Sequence, residues 1–229
     1  MASLLTYHSP SQFALSALGF VCLVTLINLF SIRKIVTSFA DFSLLVLPAF
    51  FLLGIFGVTS LVSSDFLKLL IAVPACYMFL LYEFYFPKRV RVALEELFSV
   101  TTGFAILVFL WGINFFFTPT WWIFMLILGL AFFLLYFQAF YKFGFATGEA
   151  FTNSLLGTLV MLETAWAVLY WSVHFLTSAM VTFVVFYVVY MLSAEFFKGT
   201  LTRRKIYFQL WVVSFILFFS VASSLWRPV

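Results

Sequence analysis

The chain reads as an all-α protein, a polytopic bundle of about eight transmembrane helices forming one integral membrane domain over 1–229. Three observations predict it. Hydrophobic residues make up 66% and charged residues 9% of the chain, with a mean hydropathy of +1.19, a balance that no water-soluble surface carries. Apolar runs of membrane-spanning length recur from end to end, and the basic residues gather in alternate connections between them.

The runs lie at about 11–32, 41–62, 66–86, 97–117, 120–141, 151–173, 175–196 and 206–226. They are too long and too uniformly apolar for the alternating strands of an outer-membrane barrel, so helices must satisfy the backbone in lipid. The first segment follows a start, Met1 to Gln12, without Lys or Arg, and is followed by Arg33-Lys34; a cleavable signal has the opposite arrangement, so this segment is expected to be retained. Between the second and third lie Ser63 to Asp65, between the fourth and fifth Thr118-Pro119-Thr120, and between the sixth and seventh His174 to Ser178. Such short links fit only tight antiparallel hairpins.

Charge then orients the bundle. Arg33 and Lys34, Lys88, Arg89 and Arg91, Lys142, and Lys198, Arg203, Arg204 and Lys205 account for ten of the twelve Lys and Arg residues, and all fall on one side. By the positive-inside rule these connections are cytoplasmic and both termini lie outside, in a plasma membrane or a bacterial inner membrane. The net charge of +4 then reports topology and attraction to anionic headgroups; nucleic acid is not an expected partner. Trp121, Trp122, Trp171 and Trp226 fall at the expected outer interface, where aromatic belting explains them.

Polar residues near the cytoplasmic ends of the odd segments, Asn28, Glu83, Gln138 and Glu195, stand 55, 55 and 57 residues apart, each followed within five residues by a basic one. Asp41 before Ser43, Glu96 before Ser99 and Glu149 before Ser154 repeat at the starts of even segments. Four tandem helical hairpins would give both patterns. Hairpins of equal length, with carboxylates answering the helix dipole, would give them too.

Glu163 is the foremost candidate for a functional residue, because it sits near the middle of the apolar run 151–173 and a carboxylate at that depth costs several kcal/mol unless protonated, paired or hydrated. On a helix turning about 100° per residue, Tyr170 and His174 lie about 20° to either side of it and Glu149 about 40° away. That stripe would suit a proton relay. The structural alternative makes Glu149 a solvated helix start, Tyr170 and His174 interface residues, and Glu163 a hydrogen-bonding partner of a neighbouring helix. A second face, Asn153, Gly157, Thr164 and Trp171, has the small and hydroxylated residues of close helix packing with interhelical hydrogen bonds.

Pro48, Gly54 and Gly57, and Pro74 in mid-segment, raise the idea of broken helices, although prolines in membrane helices are commonly satisfied locally. Lys68, three residues after Asp65, suits a local ion pair. Glu83, Glu149 and Glu195 are the candidate acidic residues of the cytoplasmic face, and Glu95 and Glu96 lie beside them; interfacial salt bridges compete there with a cation-binding vestibule. Asn114 and Gln138 are expected to link helices.

What is missing removes several classes. Two histidines far apart, His8 and His174, support neither a haem nor a metal centre, and no cofactor is expected. Neither HExxH, GxSxG nor a phosphate-cradling glycine loop occurs, and the segment 175–196 has no lysine for a retinal Schiff base. Cys22 and Cys76 fall within apolar segments and are read as small hydrophobes. The 35 phenylalanines serve packing and lipid contact.

The expectation is therefore a membrane subunit or scaffold, not an enzyme, whose partners are membrane lipids and a membrane protein. A small solute transporter, proton-coupled through Glu163 with Tyr170 and His174, is the alternative. An intramembrane lipid enzyme using Glu163 or Glu83 is the least supported. Substrate and oligomeric state are not legible in these residues.

Overall fold

In the computed structural model, residues 46–85, 92–171, 173–197 and 199–222 are described, and among them every regular element is a helix. The expected segment at 11–32 and the basic cluster Lys88 to Arg91 lie outside the described residues. Seven helices follow in order: α1 Val46–Leu61, α2 Asp65–Tyr85, α3 Val92–Phe117, α4 Trp121–Lys142, α5 Thr147–Leu169, α6 Phe175–Phe197 and α7 Arg203–Ala222. Five of them, α2 to α6, contain stretches of 18 to 23 residues long and apolar enough to cross a membrane, while α1 is a shorter apolar helix. The chain divides into two compact units at Phe109 and Leu110, within α3.

In the amino-terminal unit α1 is buried along Leu47, Phe51, Gly54 and Gly57. A Cβ at Gly54 would lie 2.8 Å from the Ala105 Cβ and 2.9 Å from the Ala105 carbonyl carbon, so the missing side chain is what brings the α1 and α3 backbones together. Phe51 lies against Phe98 at a centroid distance of 4.4 Å, and Phe98 stacks on Tyr82 at 4.1 Å. The glycines therefore serve packing, and α1 runs through them unbroken. So does α2 through Pro74, whose ring is exposed; the break considered there is not found. Asp65 and Lys68 form the expected ion pair, Nζ to Oδ1 at 2.9 Å.

In the carboxy-terminal unit α4 and α5 form an antiparallel hairpin across the 143–146 turn, α5 packs on α6, and α6 on α7. Two of the turns are built alike. Gly144 has φ +96° and Gly199 φ +64°, left-handed values that only glycine adopts freely. After α4 the N–H of Phe145 donates to the Phe140 carbonyl and that of Gly144 to Tyr141; after α6 Thr200 donates to Glu195 and Gly199 to Phe196. These are paired Schellman bonds that satisfy the last carbonyls of a helix. The Phe140 and Phe145 rings, 5.5 Å apart, supply the apolar contact that goes with such a turn.

Large rings fill the space between helices in this unit. Phe132 and Tyr136 of α4 meet Phe186 of α6 at 5.4 and 5.5 Å, and Phe143 meets Tyr190 at 5.8 Å. A Cβ at Gly157 would lie 3.0 Å from the Tyr136 ring, so the missing side chain lets that ring rest on α5. Hydroxyls mostly turn back on their own helix: Thr102, Ser154, Thr158, Thr164 and Thr182 each donate to a carbonyl four residues earlier. The interhelical hydrogen bonds expected of Asn153 and Thr164 are thus replaced by bonds within α5, Asn153 donating to Glu149 O at 2.9 Å and Thr164 to Val160 O at 2.8 Å. A buried interhelical hydrogen bond does join α3 to α6, where Trp111 Nε1 donates to Thr182 Oγ1 at 3.1 Å.

Candidate functional site

The apolar run at 151–173 corresponds to a helix that starts four residues earlier and ends four residues earlier, at Thr147–Leu169. Glu163 is therefore not at its centre: it lies sixteen residues, about 24 Å, from Thr147 and six residues, about 9 Å, from Leu169. The cause lies at both ends. The Schellman turn at Gly144 closes α4 early enough for α5 to begin at Thr147, with Glu149 in its first turn where a carboxylate favours the helix dipole. At the other end Tyr170 and Trp171 donate to carbonyls only three residues back, at 3.4 and 3.0 Å, tightening the last turn and ending the helix.

That early ending divides the expected stripe. Glu163 and Tyr170 share one exposed side of α5, with Tyr170 continuing the helical direction at φ −82° and ψ −6°. His174 does not belong to the same face. It stands in the link before α6, half-buried, with its ring 5.5 Å from Phe115 and 4.3 Å from Phe175, and its Nδ1 accepts a 3.4 Å hydrogen bond from the Leu176 N–H at the start of α6. The continuous line of carboxylate, phenol and imidazole is thus replaced by two separate features.

The exposed arc of α5 is apolar except for its carboxylates and hydroxyls. Leu155, Leu156, Leu159, Trp166 and Tyr170 are between 49% and 74% exposed, and Glu163 lies exposed among them. Among the described residues Glu163 has neither an ion pair nor a hydrogen bond. Glu149 is exposed on the same side, and α5 contains no Lys or Arg at all, so this helix is an acidic strip on a chain of net charge +4.

Glu195, at the end of α6, differs from Glu163. Glu195 is half-buried, and its Oε2 accepts from Lys205 Nζ and from Thr200 Oγ1, both at 2.6 Å, so it ties the end of α6 to the start of α7. At this position the carboxylate is engaged in an ion pair with Lys205. The Glu83 side chain lies outside the described residues, as does that of Glu95. Among the described residues no group of three metal-binding side chains comes together.

Two buried polar side chains of α4 were not foreseen as a pair. Gln138 is 1% exposed with no hydrogen-bond partner for either amide atom among the described residues, and the Tyr136 hydroxyl, on a residue 0% exposed, has none either. A uniformly apolar sequence gives no facial signal by which Tyr136 could be told from the lipid-facing aromatics. Sequence reasoning also missed a cavity of about 500 Å³ between α4, α5 and α6, lined by Phe140, Asn153, Leu156, Val160, Ser193 and Phe196 among others.

Among the described residues, these features define an all-helical architecture with five helices long and apolar enough to cross a membrane. Comparison with protein-family models, with curated proteins and with solved structures finds no match.

Proposed function

We propose that the protein is a multi-pass membrane subunit, not an enzyme, that holds a partner membrane protein against the exposed arc of α5. On this reading the chain crosses a plasma membrane or bacterial inner membrane about eight times, the short α1, α7 and the apolar run at 11–32 adding three spans to the five of α2 to α6, with the basic connections in the cytoplasm and both termini outside.

The observation that carries the reading is Glu163, exposed about 9 Å inside the helix end among Leu159, Trp166 and Tyr170. An unpaired carboxylate facing hydrocarbon is costly at any depth inside the acyl region, so the arc is incomplete without a complement. With two carboxylates and no basic residue on α5, that complement is a transmembrane helix bringing a Lys or Arg to the level of Glu163. The aromatic residues beside it provide the large rigid contacts on which interface energy concentrates.

Native mass spectrometry of protein gently extracted from its own membrane tests this. A stoichiometric membrane protein carrying a cationic residue in its span, lost from Glu163→Gln, supports the reading; a companion-free chain, or a companion indifferent to the substitution, refutes it. The carrier alternative asks for a water path to Glu163 inside the bundle. The outward position of Glu163 favours the partner reading over it.

A further inference from the structure

We infer that the cavity between α4, α5 and α6 holds an acyl chain of an anionic glycerophospholipid, whose phosphate rests on Arg203 and Arg204 at the start of α7. The cavity shares Leu156 with the exposed arc of α5, but its polar lining and the basic residues beside it belong to other positions, and it does not depend on the partner proposed for Glu163.

Size and lining give the first part of the argument. The cavity, about 500 Å³, lies within the roughly 300–1,000 Å³ usual for small-molecule sites. Leu156 and Val160 of α5 face Val189 and Phe196 of α6 across it, and Asn153 and Ser193 are its polar lining. Walls of this kind suit a hydrocarbon chain, with two small polar groups near an ester. Asn153 already donates its amide N–H to Glu149 O, so the helix itself holds that side chain in place.

Charge identifies the headgroup. Leu201 lines the cavity, and two residues further on the first turn of α7 opens with Arg203, Arg204 and Lys205 and has no acidic residue. Cations at a helix amino terminus oppose the positive end of the macrodipole, by about 0.3–1 kcal/mol each at an exposed site. Lys205 is matched by Glu195 at 2.6 Å. Arg203 and Arg204 are exposed and have no partner among the described residues. Thr202 already accepts from the N–H groups of Lys205 and Ile206, so the two guanidinium groups are what offers donors to a phosphate, and they follow the cavity-lining Leu201 by two and three residues. A molecule that joins a hydrocarbon chain to a phosphate with net negative charge complements both at once, and the leaflet that the basic residues are expected to face is the one rich in such lipids.

The experiment titrates the detergent-purified full chain with phosphatidylglycerol or phosphatidylcholine of matched acyl chains and reads lipid adducts by native mass spectrometry. Wild type is expected to bind one phosphatidylglycerol at least tenfold more tightly than phosphatidylcholine. Arg203→Gln with Arg204→Gln, both exposed and remote from the packed interior, should erase the difference while leaving phosphatidylcholine binding unchanged. Ser193→Phe, which fills the cavity, should weaken both lipids. Equal binding of the two lipids to wild type, or an unchanged preference in the double arginine variant, overturns the proposal. So does a folded Ser193→Phe chain that binds as wild type does. If Ser193→Phe fails to fold, the arginine pair decides alone.

Discussion

Replacing Gly54 by alanine should separate α1 from α3. The added Cβ would stand 2.8 Å from the Ala105 Cβ and 2.9 Å from both the Ala105 carbonyl carbon and the Ile106 nitrogen, against the roughly 3.5–4.0 Å at which carbon atoms attract. Two of the three obstructing atoms are backbone, so no rotamer change relieves the clash. The helices must move apart by close to 1 Å, and a gap of about 0.5–1 Å forfeits a quarter to a half of each dispersion contact it opens. The contacts at stake include Phe51 on Phe98, both almost wholly buried. Overpacking of this kind costs about 1–3 kcal/mol. Two glycines give the comparison. At Gly129 the nearest atoms to a Cβ are Leu162 methyls at 3.4 Å, and at Gly148 nothing lies within 4 Å, so alanine at either should cost little or gain up to about 1 kcal/mol from helix propensity. Thermal unfolding of the three variants in one detergent, followed by loss of helical circular dichroism, should place Gly54→Ala several degrees below wild type and the other two at or above it. A Gly54→Ala chain as stable as Gly148→Ala would refute the packing.

Three further outcomes follow from individual contacts. Gly144→Ala forces a Cβ into φ +96° and should cost about 1–2 kcal/mol, read as a lower melting temperature. Trp111→Phe removes the 3.1 Å bond to Thr182, whose hydroxyl still donates to Ser178, and should cost about 0.5–1.5 kcal/mol for the hydrogen bond together with the packing lost from the smaller ring; Thr182→Val should remove the same bond, and a double-mutant cycle should show the two coupled. Asp65→Asn breaks an ion pair in solvent-facing surroundings and should leave the melting temperature within error of wild type.

The composition made the helical class legible because the backbone in lipid has few alternatives, and the links at Ser63 and Ser64 and at Thr118 to Thr120 fell where polar residues interrupted the apolar runs. The Asp65 and Lys68 pair was legible for a similar reason: three-residue spacing is geometry that the helix alone fixes. The ends of α5 were not. Hydropathy locates apolar residues, whereas Thr147 to Ala150 are made helical by the turn at Gly144 and by a carboxylate in the first turn, neither of which raises hydropathy. That four-residue shift places Glu163 toward the carboxy-terminal end of the helix and leaves His174 outside it. Which face of a helix is buried was illegible for a related reason. With apolar residues on all sides of α4, nothing in the sequence separates Tyr136, 0% exposed, from Leu130, 58% exposed; only the neighbouring helices do.

The most direct test of the central claim is photo-crosslinking in native membranes from benzoylphenylalanine placed at Leu159, one turn from Glu163 on the exposed arc of α5, with the same probe at the exposed Phe215 of α7 as reference. The account predicts one discrete protein adduct from position 159, absent from position 215 and lost when Glu163→Gln is added. Adducts to lipid alone from position 159, or a protein adduct that survives Glu163→Gln, would contradict it.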